Sequence, residues 1–246
     1  MLKTKNIPIT ERIIFALDVD TKEEAAQWLD RLGAHVRFYK IGLQLFLGGW
    51  FPVIELIRKR GHKVMVDLKF FDIPETVELA VRQLKDRGVE FITVHGNEAI
   101  LEAANRTKNG SKILAVTLLT SFDEADLRDM GLTCDIQTFV LHRAQKALRL
   151  GCDGVISSGL EAAALRHELG DQFLIVTPGI RPGANTETND DDQKRIASAY
   201  DAIRNGADHV VVGRPIRNAS DPVAVVESMQ AEITRALLED QGSVNK

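Results

Sequence analysis

Cysteine is scarce in this sequence: Cys134 and Cys152 are the only two among 246 residues. Two isolated thiols are too few for a disulfide framework or a four-ligand zinc site, so we expect both to be reduced. No apolar run reaches the length of about 18 residues that a membrane-spanning helix needs. The opening residues, MLKTKNIPIT, also lack the apolar core of a secretory signal. We therefore expect a cytoplasmic protein.

The sequence also lacks a large excess of positive or negative charge. The formal net charge is −4, although charged residues make up 27% of the chain. Such a balance does not favour binding to a nucleic acid polymer or to a membrane surface. An anionic substrate would have to be held by local positive charge. The apolar fraction of 44% is typical of a globular protein.

Short apolar, β-branched runs recur along the chain and predict eight strands, with helical periodicity between them. The predicted strands are residues 13–17, 36–41, 63–68, 91–94, 113–118, 154–157, 173–176 and 210–212. This alternation predicts a parallel sheet closed into a (β/α)₈ TIM barrel, for which a length of about 250 residues is usual. An open doubly wound sheet is the alternative. No linker interrupts the pattern, so we expect a single domain over residues 1–246, with a polar tail from about residue 240.

Charged residues occur where the predicted strands end, which is where such barrels place their catalytic groups. Strand 3 leads into Asp67-Leu68-Lys69, and alternation along a strand puts Asp67 and Lys69 on one face. Asp18 after strand 1 and Lys40 in strand 2 are their expected partners. The sequence therefore predicts an array of Asp and Lys at the barrel mouth. A purely structural ion-pair network is the alternative, although buried ion pairs are a weak source of stability.

The loops after strands 7 and 8 have the composition of a phosphate site. Such barrels commonly bind phosphate there. Gly213 lets the main chain approach an oxyanion, and Arg214 offers two parallel donors. A long irregular stretch, residues 181–191, follows strand 7. We expect these two loops to bind a phosphate group.

The histidines are less informative. His95 ends strand 4 and is either a site residue or a packed, hydrogen-bonded one. The others show no metal-ligand spacing and are expected at the surface or as capping residues; they are His35, His62, His142, His167 and His209.

From about residue 13 to residue 222 the sequence resembles the bacterial orotidine 5′-phosphate decarboxylases. The most specific shared motif is DLKFFDIP at residues 67–74. Weaker motifs follow the family's order: LD at 17–18, YKIG at 39–42, VH at 94–95, AVTLLTS at 115–121, VTPGIRP at 176–182 and VGRP at 212–215.

The resemblance implies conversion of orotidine 5′-monophosphate to uridine 5′-monophosphate in de novo pyrimidine biosynthesis, without cofactor or metal. It implies that Lys69 protonates C6 after CO₂ leaves, that Asp67 lies beside the scissile carboxylate, and that Lys40 binds Asp67 and the ribose region. The other substrate-binding residues that it implies are Asp18 at a ribose hydroxyl, Thr120 at the pyrimidine amide, Pro178 and Arg181 at the lid loop, and Gln193, Gly213 and Arg214 at the phosphate.

The resemblance also implies a homodimer with shared active sites. Asp72, counted with Lys69, Asp67 and Lys40 as catalytic, would reach into the partner's site together with Ile73 and Thr76.

Three other interpretations remain open at this point. A sugar-phosphate decarboxylase of the keto-gulonate phosphate type shares the Asp-x-Lys-x-x-Asp frame, but it needs Mg²⁺ and a carboxylate on strand 2, where this chain has Lys40. A Schiff-base aldolase would use a neutral lysine, whereas Lys40 and Lys69 have acidic neighbours that favour the charged form. A barrel without enzymatic activity would give no functional reason for the charged residues at its mouth.

Overall fold

The strands of the computed structural model, which describes residues 5–182 and 194–242, form a closed parallel barrel. Each strand pairs with the next, and the last returns to the first. The strands are β1 (Ile13–Ala16), β2 (Phe38–Ile41), β3 (Lys63–Phe70), β4 (Phe91–Val94), β5 (Lys112–Val116), β6 (Gly154–Ile156), β7 (Leu174–Thr177) and β8 (His209–Val212). The predicted (β/α)₈ barrel is confirmed, and the open-sheet alternative is wrong.

Helices surround the barrel and connect its strands. They are α1 (Ile9–Arg12), α2 (Lys22–Leu32), α3 (Leu43–Lys59), α4 (Pro74–Arg82), α5 (Glu98–Arg106), α6 (Glu124–Asp129), α7 (Ile136–Arg149), α8 (Ala162–Leu169), α9 (Ala199–Arg204), α10 (Arg214–Arg217) and α11 (Pro222–Gly242). Helix α3 is interrupted at Trp50, whose φ is +47°. Helix α11 continues past residue 240, where the sequence predicts a polar tail. Within the described ranges, no helix is long and apolar enough to cross a bilayer.

Hydrogen bonds of single side chains decide where several helices begin. Thr21 caps α2 by accepting a hydrogen bond from the backbone N–H of Glu24. Helix α9 begins only at residue 199, so residues 194–198 lie before it. Ser198 caps it, and the N–H groups of residues 194 and 195 donate instead to the carbonyl of Thr120. The segment before α9 is therefore tied to the loop that follows β5.

Two apolar layers make up the core of the protein. One lies between strands and helices, and Leu68 packs against it, as the strand alternation predicts. The other fills the barrel interior and consists of Ile14, Ala16, Phe38, Met65, Phe91, Leu114, Val116, Ile156, Val176 and Val211. Two residues further along β2, β3 and β4, the interior positions become polar, with Lys40, Asp67 and Thr93. The barrel interior is thus apolar below and polar toward its C-terminal mouth.

His209 closes the opposite end of the interior. It is 4% exposed, and its ring packs edge-on against Phe38 and Phe91, with ring centroids 5.6 and 5.3 Å away. Its Nδ1 lies 2.9 Å from the carbonyl oxygen of Glu11. Burial lowers the pKa of the imidazole to about 4. His209 is therefore not at the surface, because side chains rather than solvent fill a small barrel, and its contact with the last turn of α1 is of the capping kind that the sequence also allows. His62 is buried too, but against Tyr39 in the layer between strands and helices.

Candidate active site

A cavity of about 600 Å³ lies at the mouth where the C-terminal ends of the strands converge. Its volume is in the range usual for small-molecule sites. The predicted site residues that line it are Asp18, Lys40, Asp67, Lys69, Thr120, Pro178, Arg181, Gly213 and Arg214. The structure therefore brings together residues that lie almost 200 positions apart in the sequence.

Four charged side chains form a continuous array in this cavity. Lys40 Nζ lies 3.2 Å from Asp18 Oδ1 and 3.5 Å from Asp67 Oδ2. Lys69 Nζ lies 3.0 Å from Asp67 Oδ1. The order Asp18, Lys40, Asp67, Lys69 alternates in sign, so each charge has an opposite neighbour. Lys69, at the end of the array, keeps 38% of its side chain exposed and faces the cavity.

The inner pair of the array is held in its charged form by its neighbours. Burial by itself would raise the pKa of Asp67, but Lys40 and Lys69 outweigh it and hold this pKa below its usual range. Burial would likewise lower the pKa of Lys40, but the carboxylates of Asp67 and Asp18 hold it above its usual range. Both groups are therefore ionised at neutral pH.

An irregularity in β3 delivers Lys69 to the cavity. Between the pairs Val66↔Ile92 and Phe70↔Val94, three residues of β3 stand opposite the single residue Thr93 of β4. Lys69 takes a φ of +48°, in the left-handed region that residues with side chains rarely adopt. The predicted contact between Asp67 and Lys69 is present, but regular alternation is not its cause. A bulge turns Lys69 toward the cavity, as bulges beside active sites commonly do.

Small residues leave room for the array. A Cβ atom at Gly42 would lie 3.0 Å from Lys40 Nζ and 3.2 Å from Asp18 Oδ1. One at Gly213 would lie 3.3 Å from the Cβ of Ala16. A side chain at Gly42 would therefore press directly on the first ion pair.

The cavity also contains residues that sequence reasoning missed. Gln44, in α3, lines it and donates from its amide to Asp20 at 2.6 Å. Arg217, in α10, lines it and donates to the carbonyl oxygen of Asp18. Both residues lie a few positions after the C-terminal end of a strand, β2 or β8. Examining those positions in the sequence could have identified them. With Arg181 and Arg214, Arg217 makes the side of the cavity near β7 and β8 positive.

The residues predicted to serve a partner subunit lie outside this cavity. Asp72, Ile73 and Thr76 are exposed, and none of them lines the cavity of its own chain. Asp72 accepts a hydrogen bond of 2.7 Å from the N–H of Ile73. Phe71 and Ile73 are 68% and 65% exposed, which is high for such large apolar side chains. Gln193 lies outside the described residues.

His95 packs beside the array and does not line the cavity. Its ring meets that of Phe71 edge-on, with centroids 5.3 Å apart. Burial, together with the positive charges of Arg143 and Lys69, lowers the pKa of His95 to about 4. The imidazole is therefore neutral at neutral pH. It is packed, but its buried Nδ1 has no hydrogen-bond partner in the described part of the chain, which the packed, hydrogen-bonded interpretation requires.

The family model described as "Orotidine 5'-phosphate decarboxylase / HUMPS family" matches residues 11–229. The chain belongs to this family. Two curated relatives named orotidine 5′-phosphate decarboxylase agree over nearly the full length. The protein from Methylococcus capsulatus is 53% identical over 94% of this chain and 96% of its own length. That from Xanthomonas oryzae is 48% identical over 94% and 95%.

Solved structures extend this family likeness to three dimensions. An orotidine 5′-phosphate decarboxylase from Lactobacillus acidophilus superposes with a TM-score of 0.78 at 36% identity, covering 91% of this chain and 99% of that one. A protein from Geobacillus kaustophilus, described as an uncharacterized conserved protein, superposes with a TM-score of 0.76 at 30% identity, covering 90% and 99%. The resemblance to orotidine 5′-phosphate decarboxylases that the motifs indicate is confirmed.

Proposed function

We propose that this chain is a carboxy-lyase that converts orotidine 5′-monophosphate to uridine 5′-monophosphate in pyrimidine biosynthesis, with Lys69 as the proton donor to C6. The full-length relatives that carry the name of this enzyme support the reaction. The observation that carries the mechanism is the Asp18–Lys40–Asp67–Lys69 array within one cavity. As a biosynthetic enzyme, the protein would act in the cytoplasm.

The two sides of the cavity suit the two ends of the nucleotide. Arg181, Arg214 and the main chain at Gly213 would bind the phosphate dianion through charge-assisted hydrogen bonds. Asp18 and Lys40 would bind the ribose hydroxyls, and Thr120 the pyrimidine amide. This orientation brings C6 and its carboxylate to Asp67 and Lys69.

The reaction breaks the bond between C6 and the carboxylate carbon, and its electron pair stays on C6. The resulting vinyl carbanion has no ring position that delocalises its charge. Lys69 transfers a proton from Nζ to C6 and regains one from water after product release. CO₂ leaves, and no electrons enter or leave the system. Asp67, held ionised by Lys40 and Lys69, would stand beside the departing carboxylate.

The electrostatic contribution of Lys69 can be estimated. An ammonium about 4 Å from a unit negative charge gains about 4 kcal/mol at an effective dielectric constant near 20. That corresponds to roughly a thousandfold in rate. The remainder of the catalysis would come from binding energy of the phosphate and ribose, used to align the substrate and close the site.

We propose that neither metal nor cofactor takes part. Lys40 stands on β2 where a Mg²⁺-dependent relative has a carboxylate, and its ammonium already lies within 3.5 Å of both carboxylates that a cation would share. The raised pKa of Lys40 also opposes the neutral amine that a Schiff-base aldolase needs.

We also propose that two subunits share their active sites. Large apolar side chains at the barrel mouth are better buried by a partner than left in water, and Phe71 and Ile73 are such residues. A two-fold dimer would bring each Asp72 to the other chain's Lys69 symmetrically.

The test of the reaction is an ultraviolet assay that follows the loss of orotidine 5′-monophosphate absorbance by the purified protein, with and without EDTA. We expect turnover that EDTA leaves unchanged, and no trapping of substrate on the protein by borohydride. Activity that is lost with EDTA and restored by Mg²⁺ would assign the chain to the metal-dependent type instead. Absence of turnover together with absence of nucleotide binding would refute the proposed function.

A further inference from the structure

Thr93 lies beneath the array, at an interior position of β4 that is fully buried. We propose that its hydroxyl is a positioning group for the decarboxylation: it fixes the main chain of Lys69 and the carboxylate of Asp67 in one geometry. The proposal rests on the proposed function, because it assigns Thr93 to the reaction in which Lys69 donates its proton. Thr93 does not line the cavity and would not touch the substrate.

The hydroxyl uses both of its hydrogen-bonding roles. Its oxygen accepts a hydrogen bond of 2.9 Å from the backbone N–H of Lys69. It donates one of 2.9 Å to Oδ1 of Asp67. The same Oδ1 accepts the Lys69 ammonium at 3.0 Å. The main chain and side chain of Lys69, the hydroxyl of Thr93 and the carboxylate of Asp67 therefore form a closed ring of hydrogen bonds.

This ring is placed where the backbone is strained. Lys69 has a φ of +48°, which a residue with a side chain keeps only when its surroundings impose it. The ladder between β3 and β4 cannot impose it, because three residues of β3 face Thr93 alone at this point. The hydrogen bond from the Lys69 N–H to Thr93 takes the place of the missing ladder bond. A serine keeps this bond, whereas a valine of almost the same shape removes it.

The position of the Lys69 ammonium should follow from this bond. Without the hydroxyl, Lys69 can relax toward extended backbone, which displaces Nζ relative to C6 of a bound nucleotide. Asp67 loses one of the donors that fix its rotamer. Small errors in the placement of a reacting group reduce catalysis steeply. Binding of the phosphate and ribose, on the other side of the cavity, should change little.

The experiment compares Thr93→Val with Thr93→Ser, using the full chain and orotidine 5′-monophosphate. Thr117→Val is the matched control, since Thr117 is also a buried threonine, and it donates to the carbonyl of Ile156, away from the array. We expect Thr93→Val to lower kcat about 10- to 100-fold, as for loss of a hydrogen bond to a charged group. KM and the Kd for uridine 5′-monophosphate should stay within about threefold, and Thr93→Ser and Thr117→Val should keep nearly full kcat.

Three results would overturn the proposal. The first is a normal kcat for Thr93→Val, and the second is a kcat of Thr93→Ser as low as that of Thr93→Val. The third is an equal loss of kcat in Thr93→Val and Thr117→Val. If Thr93→Val does not fold, Thr93→Ala replaces it in the same comparison with Thr93→Ser. Turnover by the wild-type protein is measured first, so failure of the proposed function is seen separately from failure of the role of Thr93.

Discussion

The ammonium of Lys40 lies 3.5 Å from the carboxylate of Asp67, and each side chain is only 11% exposed. A pair this buried is costly to break, because removal of one partner leaves the other buried charge with only its more exposed neighbour, Asp18 for Lys40 or Lys69 for Asp67. The pair also keeps Asp67 ionised, since the pKa of its carboxyl is held below the usual range. Lys69, the proposed proton donor, therefore lies 3.0 Å from a permanent negative charge.

Replacement of Arg214 tests the proposed phosphate-binding side of the cavity. We expect Arg214→Ala to weaken capture of orotidine 5′-monophosphate, because the guanidinium contributes a charge-assisted hydrogen bond of about 1.5–3 kcal/mol. At about 1.4 kcal/mol per tenfold, kcat/KM should fall roughly 10- to 100-fold. Orotidine, which lacks the phosphate, should react equally slowly with both proteins. An equal loss on both substrates would place Arg214 away from the phosphate.

Subunit exchange tests whether active sites are shared. Lys69→Ala and Asp72→Ala should each be inactive alone. In a mixed dimer, one site carries both substitutions and the other carries neither if Asp72 serves the partner chain. We therefore expect activity to recover toward one working site per mixed dimer. If mixed dimers are shown to form and remain inactive, Asp72 serves its own chain.

His209 predicts a pH dependence of stability at the other end of the barrel. Burial lowers its pKa from 6.5 to about 4 in the folded protein. Between these values the unfolded chain binds a proton that the folded chain does not, so the free energy of unfolding falls as the pH falls from 6.5 toward 4. The full shift corresponds to about 3 kcal/mol.

The comparison uses His209→Gln, whose amide can still donate to Glu11 but does not titrate. Denaturant unfolding at several pH values should show a shallower loss of stability on acidification than in the wild-type protein. The control is His167→Gln, because His167 is 84% exposed and should leave the slope unchanged. If the free energy of unfolding falls equally steeply with pH in the wild-type protein, His209→Gln and His167→Gln, then His209 is not the cause of the pH dependence.

Much of this molecule could be predicted from local sequence patterns. The barrel follows from alternating apolar runs, because each strand and helix carries its own periodicity. The sequence also predicts the array, from the two-residue spacing of Asp67 and Lys69 and from the charges that end the neighbouring strands, although the contact between Asp67 and Lys69 depends on the bulge and not on regular alternation. Each of these inferences uses residues close in sequence or a general rule about where strands end.

The features that the sequence does not predict depend on how the strands pair, and periodicity carries no information about strand pairing. Lysine is a poor candidate for a left-handed backbone, so the strain at Lys69 gives no local signal. Thr93 resembles any other strand residue until the bulge in β3 puts it opposite Lys69. His209 could have been found, because it stands two residues before the interior Val211 and shares its face.

The most direct test of the central claim is the turnover of orotidine 5′-monophosphate by Lys69→Ala at saturating substrate, beside Lys22→Ala as a control at an exposed lysine in the first turn of α2. We predict that Lys69→Ala remains folded, still binds uridine 5′-monophosphate and loses about a thousandfold or more in kcat, because both the proton donor and its charge are gone. Lys22→Ala should match the wild-type protein. A folded Lys69→Ala protein with near-normal turnover would contradict the account.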